Sequence, residues 1–542
     1  MKKLMWMMMG LALVACNPNN SDDPDNPTAV DAVDTTGTTT TIINEGDDDN
    51  DFVENQTWNS SVSVVWNGAS ASVSGEVDGV SVTSENGYVV VTSTAKHVQY
   101  NLSGTGTGQM KIYSDYKFRM NLDGLNLTCQ DGPAINNQCK KTCYTVVSGT
   151  NTLTDGTSYA DSDESQKAAF FSEGQLVFTG TGTLNVKGQY KHALASDDYI
   201  RVREGVMNLT ATVSDGMHSN DGIIIDGGTI TIDAAGDGIQ CDTSSILISG
   251  GEITILNVGD KGLLAYGDIQ IRDGKITITA YGKGIKTKSD LTIYGGDISV
   301  ICYTSSYTAA PTLFASAWGP GGGPGGGPGG GGPGGGGPGG QASGPEAIEA
   351  KGKIKIMGGF VYAQSPDDAI NSGGDMTIGT AIPTGYDPCV CAYSTGNDGL
   401  DANGNCYIDG GIVYAIGSGS PEVAIDANSE AGCKLYLISG TVVAIGGLES
   451  GAELKQACYS TSSWSPSTWY NMPVDWTNNF AFLTPESGGT PLVISTGTTA
   501  WLQAGVKVNS ANPMFNGMGD YDGNASGGTE VTLSSYTASS RR

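Results

Sequence analysis

The sequence predicts an all-β chain built as a parallel β-helix with a β cap at each end, and three observations carry that expectation. A four-residue pattern of small, aliphatic, any and small residues recurs down the middle of the chain. The residues between its copies alternate apolar and polar with period two. No stretch shows helical periodicity.

The pattern appears as Ala193-Leu194-Ala195-Ser196, Gly216-Met217-His218-Ser219, Gly238-Ile239-Gln240-Cys241, Gly262-Leu263-Leu264-Ala265, Gly284-Ile285-Lys286-Thr287, Ala347-Ile348-Glu349-Ala350, Ala369-Ile370-Asn371-Ser372, Gly399-Leu400-Asp401-Ala402 and Ala424-Ile425-Asp426-Ala427. Less regular copies at Ala134 to Asn137 and Ala169 to Ser172 extend it toward the N-terminus. Most copies are 22 to 25 residues apart, a period that marks a stacked repeat. Between copies come runs such as Ile246-Leu247-Ile248 and Ile253-Thr254-Ile255, separated by Gly250-Gly251. Each repeat is therefore about three short strands joined by tight turns. A single repeat cannot bury its own apolar face, so the units stack, with rungs about 4.8 Å apart. A leucine-rich horseshoe, which wants a helical segment in each repeat, fits less well.

Taken in order, the chain begins with a targeting segment at 1-16. Lys2 and Lys3 precede an apolar run from Leu4 to Ala15 that is too short to span a bilayer. Leu13-Val14-Ala15-Cys16 looks like a bacterial lipobox, which implies cleavage before Cys16 and lipidation of that residue. Residues 17-56 are rich in Asp, Asn, Thr and Pro, too polar to pack, and read as a tether. The tether's acidic start resembles the surface-export signal of lipoproteins in the Bacteroidetes group. That likeness implies an outer-membrane protein displayed at the cell surface. The repeat body is assigned to 57-447, with early strands and a cap from Trp58 to Leu127. It is interrupted by a Gly/Pro-rich loop at 319-344 and by an insertion from Pro383 to Gly396. Residues 448-542 lose the repeat but keep strand-like runs, and read as a C-terminal β cap in which Trp464, Trp469 and Trp476 pack.

A net charge of -29, with six arginines, excludes nucleic acid and anionic membrane faces as partners. Removing Cys16 leaves ten cysteines whose pairing the sequence does not fix. Three histidines and no paired Cys-x-x-Cys motif make zinc a poor reading.

In a stack of repeats, equivalent positions form columns, and a column is the natural unit of a site. The position before the pattern reads His192, Asp215, Asp237, Lys261, Lys283, Glu346, Asp368, Asp398, Val423. The position after it reads Asp197, Asn220, Asp242, Tyr266, Lys288, Lys351, Gly373, Asn403, Asn428. Carboxylates gather in an N-terminal patch of Asp197, Asp198, Asp215, Asp221, Asp237 and Asp242, and in a second patch of Asp367, Asp368, Asp398, Asp401 and Asp426. Like charges one rung apart repel unless a cation lies between them, and six to eight oxygen ligands suit Ca²⁺. The expected calcium ligands are Asp215, Asp221, Asp237 and Asp242; the competing reading is Asx capping of turns. Lys261, Lys283, Lys286 and Lys288 form a basic corner. Lys283, Lys286 and Lys288, with the aromatic face of Tyr266, are the expected carbohydrate contacts, and surface ion pairing is the alternative.

The segment from Gly188 to Asp198, then Asp215-Gly216-Met217-His218-Ser219-Asn220-Asp221-Gly222-Ile223 and Gly236-Asp237-Gly238-Ile239, resembles a bacterial family of carbohydrate-binding domain proteins whose members look like pectate lyases in shape. The resemblance covers roughly Trp58 to Gly447. It implies a right-handed parallel β-helix, bound calcium and affinity for cellulose-like and acidic plant polysaccharides. Lys261 and Lys283 depart from the family's corner Asp and put metal binding at those repeats in doubt. Function is accordingly expected to be polysaccharide binding by a monomer. The alternatives are a calcium-dependent pectate-type lyase with Lys286 or Lys288 as base, and a structural adhesin.

The Gly/Pro segment yields a first test. Deleting Pro320 to Gly340 is expected to leave the melting temperature nearly unchanged, because a solvated loop adds little to the core; a large drop by calorimetry would show that it packs.

Overall fold

The computed structural model describes residues 51–304, 344–379, 387–509, 512–521 and 524–539. The targeting segment with Cys16, the tether up to residue 50, the Gly/Pro loop up to residue 343 and the start of the Pro383 insertion lie outside them.

The chain is all-β with long parallel sheets. The unit is a triplet of strands: Met217–Ser219, Gly222–Ile225 and Thr229–Ala234 in one repeat, Ile239–Cys241, Ile246–Ile248 and Glu252–Val258 in the next. Each strand pairs in parallel with its counterpart one repeat on, so that Met217 faces Ile239, Ile223 faces Ile246 and Ile230 faces Ile253. The first strands of the triplets form a narrow sheet of 13 strands that ends at Leu400–Ala402, and the second and third belong to a larger sheet of 28. Side chains from all three strands meet in one apolar core. Leu194, Met217, Ile239, Leu263, Ile285, Ile348, Ile370, Leu400 and Ile425, the aliphatics of the sequence pattern, are all fully buried there, each stabilising by about 1.5–3 kcal/mol.

The small residue that opens the pattern has a steric cause. A Cβ on Gly262 would lie 2.4 Å from Ile278 Cγ2, and one on Gly284 would lie 2.0 Å from Val300 Cγ1. At these two repeats the third strand presses its inward aliphatic against the backbone and glycine alone leaves room; where alanine opens the pattern, as at Ala193, Ala347, Ala369 and Ala424, its methyl is fully buried. The small residue that closes the pattern is buried too. Where it is serine, its hydroxyl satisfies a turn, as Ser196 Oγ does by donating to the Gly174 carbonyl and Ser219 Oγ by accepting from Gly222 N–H.

Antiparallel strands occupy both ends. Ser60–Gly68 folds back on Ser70–Ser74, and Val80–Glu85 on Tyr88–Ser93. Parallel pairing continues past residue 447 to Tyr436 and Leu437 against Glu453 and Leu454, after which Leu492–Ser495 runs antiparallel to Leu435–Ile445. An antiparallel sheet containing Trp469–Pro473 and Asn479–Leu483 lies beyond. Trp464 donates its indole N–H to the Gly489 carbonyl. Trp476, expected to pack, instead stands 86% exposed, because Asp475 turns the chain there by accepting from Thr477 and Asn478 N–H. The ten described cysteines are all unbonded, eight of them buried, where they fill space as small apolar groups.

The inward register gives the test of the core. Ile239→Asp buries an unpaired charge among apolar rungs and is expected to abolish soluble folded protein, whereas Thr277→Ala on an outward position should change stability by no more than about 0.5 kcal/mol; normal urea unfolding of the Asp variant would overturn the register.

Candidate functional site

The narrow sheet carries a polar stripe along its edge, set by the columns before, within and after the sequence pattern. In the last of these each residue donates its backbone N–H to the residue that closes the preceding copy of the pattern: Asp242 to Ser219 O, Tyr266 to Cys241 O, Lys288 to Ala265 O and Lys351 to Thr287 O. Asp242, Tyr266, Lys288 and Lys351 therefore succeed one another one repeat apart. Tyr266 is 51% exposed and Lys288 is exposed.

At the N-terminal end the stripe is built around imidazoles. His192 Nδ1 and His218 Nδ1 both lie 3.0 Å from Asp215 Oδ2, and His218 Nε2 lies 3.2 Å from Asp242 Oδ2. Burial pushes the His192 imidazole down to about 4 against the pull of Asp215, so it is neutral. Burial works against charge on His218 too, but the Asp215 and Asp242 carboxylates outweigh it and raise its pKa. Asp215 is held well below the usual carboxylate range, since bonds from both histidines overcome its burial. The donor atoms of His192, Asp215 and His218 fall within 4.8 Å of one another. The two rings are stacked, however, with centroids 4.2 Å apart and planes 24° from parallel. Both Nδ1 atoms are engaged with the same Asp215 oxygen, so the trio stands as a hydrogen-bonded triad. With two nitrogens and one carboxylate it does not match the oxygen shell Ca²⁺ requires.

The four expected calcium ligands each have a protein partner. Asp215 and Asp242 are tied to His218, Asp237 accepts from the Lys261 N–H at 2.7 Å, and Asp221 is exposed and accepts from the Thr243 hydroxyl. Sequence listed His192 and His218 in different columns; the register that brings one against the other crosses from the position before one copy of the pattern to the third position of the next.

In the middle of the stripe the lysines turn inward. Lys283 Nζ lies 2.9 Å from Glu346 and 2.6 Å from Glu349. Lys286 is fully buried, its Nζ 3.6 Å from Glu349, and Lys351 reaches the same carboxylate at 2.5 Å. Burial favours protonation of Glu349, but Lys283 and the other lysines hold it down to about 2. Of the expected sugar contacts, Lys288 and Tyr266 reach solvent, while Lys283 and Lys286 are consumed by glutamates because their columns sit in the partly enclosed part of the edge.

The C-terminal end gathers carboxylates. Asn371 Nδ2 donates to Asp368 Oδ2 at 3.0 Å and to Asp401 Oδ2 at 2.9 Å; Asp368 also accepts from Asp398 N–H, and Asp398 from Val423 N–H. Burial and then neighbouring acids push Asp398 up to about 7, and the same causes raise Asp368, Asp401 and Asp426. These oxygens crowd without a basic side chain bonded to them among the described residues, which is the donor chemistry a hard divalent cation takes.

A family model described as a carbohydrate-binding domain-containing protein matches residues 85–384, more than half of the chain. A solved structure titled as the polysaccharide lyase-like protein from C. thermocellum, gadolinium derivative, aligns at 22% identity over 45% of this chain and 94% of its own, with a TM-score of 0.33. No curated protein matches the chain.

The raised carboxyls predict a pH dependence. Their folded-state pKa values exceed those of the unfolded chain, so the stability they contribute is present below the unfolded value of about 4 and is lost as pH rises through the folded values, about 7 for Asp398. In the absence of divalent cations the melting temperature should fall between pH 5 and 8, at about 2–4 °C for each kcal/mol lost. Asp398→Asn should flatten that fall in differential scanning fluorimetry; an unchanged slope would remove Asp398 from the account.

Proposed function

The chain belongs to the carbohydrate-binding domain-containing protein family, and from that premise we propose that it is a lipoprotein of the outer membrane, anchored through Cys16 and displayed at the cell surface, that binds acidic polysaccharide as a monomer. In this reading the triplet repeats wind as a right-handed parallel β-helix, and the polysaccharide lies along the narrow sheet. The observation that carries it is the exposed column of Asp242, Tyr266, Lys288 and Lys351, which presents an aromatic face and ammonium groups at rung spacing beside the acidic end of the stripe. A sugar ring stacks on Tyr266, and Lys288 meets a uronate carboxylate as a point charge.

Calcium takes the C-terminal patch. Asp368, Asp398, Asp401 and Asp426 offer the oxygens, and the cation replaces the protons those crowded carboxyls otherwise hold. The ion also offsets the repulsion between an acidic protein and an acidic glycan. A lyase reading finds less support: a buried Lys286 held by Glu349 does not reach a substrate as base, which leaves Lys288 alone.

Polygalacturonate titrated by calorimetry should bind the wild type, and Tyr266→Ala with Lys288→Ala should weaken it by about 10-fold or more, equivalent to about 1.4 kcal/mol. Calcium should raise the melting temperature at pH 8, and Asp398→Asn with Asp426→Asn should remove most of that rise. Equal binding by the Tyr266 and Lys288 variant would move the site elsewhere, and growth of ultraviolet absorbance from unsaturated product would replace the binder with a lyase.

A further inference from the structure

The larger sheet carries a second polar site, on the strand Tyr199–Val202 and the turn after it. Three of the chain's six arginines, Arg119, Arg201 and Arg203, line one cavity of about 570 Å³. In a chain of net charge -29 with six arginines, half of its guanidinium groups meet at this one place. Phe52, Val53 and Glu54 of the chain's own N-terminal segment form one wall of the cavity and engage its arginines. Asp51 Oδ2 lies 3.0 Å from Arg201 Nη1, and Tyr199 OH donates to its other oxygen. Glu54 takes Arg203 in a two-pronged pair at 2.8 and 3.0 Å. Between the two carboxylates the Phe52 ring lies under both guanidinium groups, its centroid 4.2 Å from Arg203 Cζ and 5.5 Å from Arg201 Cζ.

We propose that this cavity is a uronate-binding site and that Asp51 to Glu54 is its built-in competitor. The segment offers two carboxylates flanking one flat ring face, which is the chemistry of consecutive uronic acid units. Paired guanidinium forks are suited to such carboxylates, each donating two bonds at a time, and a sugar's C–H face can cover a guanidinium in the place the phenyl ring takes. With the segment lifted, three arginines face the two remaining acids of the cavity, Glu204 and Asp226. Glu204 is already bonded to Thr179 and Gly180, and Asp226 to Arg201. The segment can be displaced: Glu54 is 55% exposed, and the Val53–Asn55 turn has no side-chain cap. As a tethered competitor it acts at an effective concentration on the order of millimolar, so free uronate must exceed it to enter. The ligand class rests on the family reading above, while the site does not share a residue with the Tyr266 and Lys288 column.

The test measures tri-galacturonate binding by calorimetry in a Tyr266→Ala/Lys288→Ala background, which isolates this cavity from the narrow sheet. Adding Asp51→Asn and Glu54→Gln should raise affinity by about 10-fold or more, as removal of a millimolar internal competitor requires, and Arg203→Gln on top should abolish the gain. In the wild type, tri-galacturonate should speed amide exchange across residues 52 to 55, and uncharged cello-oligosaccharide should not. If the neutralised segment lowers the melting temperature and yields no gain in affinity, the segment is a structural clamp and the proposal falls. That result would leave the narrow-sheet reading standing, because loss of wild-type polygalacturonate binding on Tyr266→Ala/Lys288→Ala is measured separately.

Discussion

Everything in the structure depends on how closely an inward aliphatic side chain approaches the small residue that opens each repeat. Ile278 against Gly262 and Val300 against Gly284 set how closely the third strand closes on the first. The corner takes nothing larger than a methyl group in any copy of the pattern, and the inward aliphatics of successive repeats fall in line in parallel register. Register then fixes the columns, and the columns decide which charged groups meet.

What those columns do alternates along the stripe. At one end carboxylates meet imidazoles and are kept charged; in the centre glutamates meet lysines; at the far end carboxylates meet each other and resist ionisation. A buried ion pair is costly to form and costly to break once formed, so the first two arrangements hold neighbouring repeats to a single partner choice. In the third no basic side chain among the described residues meets the carboxylates, and the calcium proposed above is placed there for that reason.

Much of this was legible in the sequence, for a physical reason: period-two alternation and a fixed repeat length determine which residues point inward. Hence all nine pattern aliphatics fall in the core, and Asp242, Tyr266 and Lys288 each bond through their N–H to the residue that closes the preceding copy of the pattern. Burial within a column was not legible. Lys286 and Lys288 are two residues apart and on the same side of the alternation, yet one is enclosed and the other solvated, because enclosure depends on how the adjacent corner folds over it. The partnership of Asp51 with Arg201 was hidden as well, since it joins residues 150 positions apart through no repeat. A run of polar tether gives no local sign of where its last residues dock.

The pairing across residues 305–343 has a consequence for how such a chain changes over time. Ile285 faces Ile348 and Asp297 faces Phe360 in the same register as any neighbouring repeats, so the ladder runs on as though nothing intervened. The ion pairs from Lys283 and Lys286 to Glu349 rivet the two sides of that gap. Length at this point is uncoupled from the ladder, and the site is a natural port: sequence can enter, lengthen or be exchanged there, even for a separately folding passenger, while the repeats on either side keep the same neighbours.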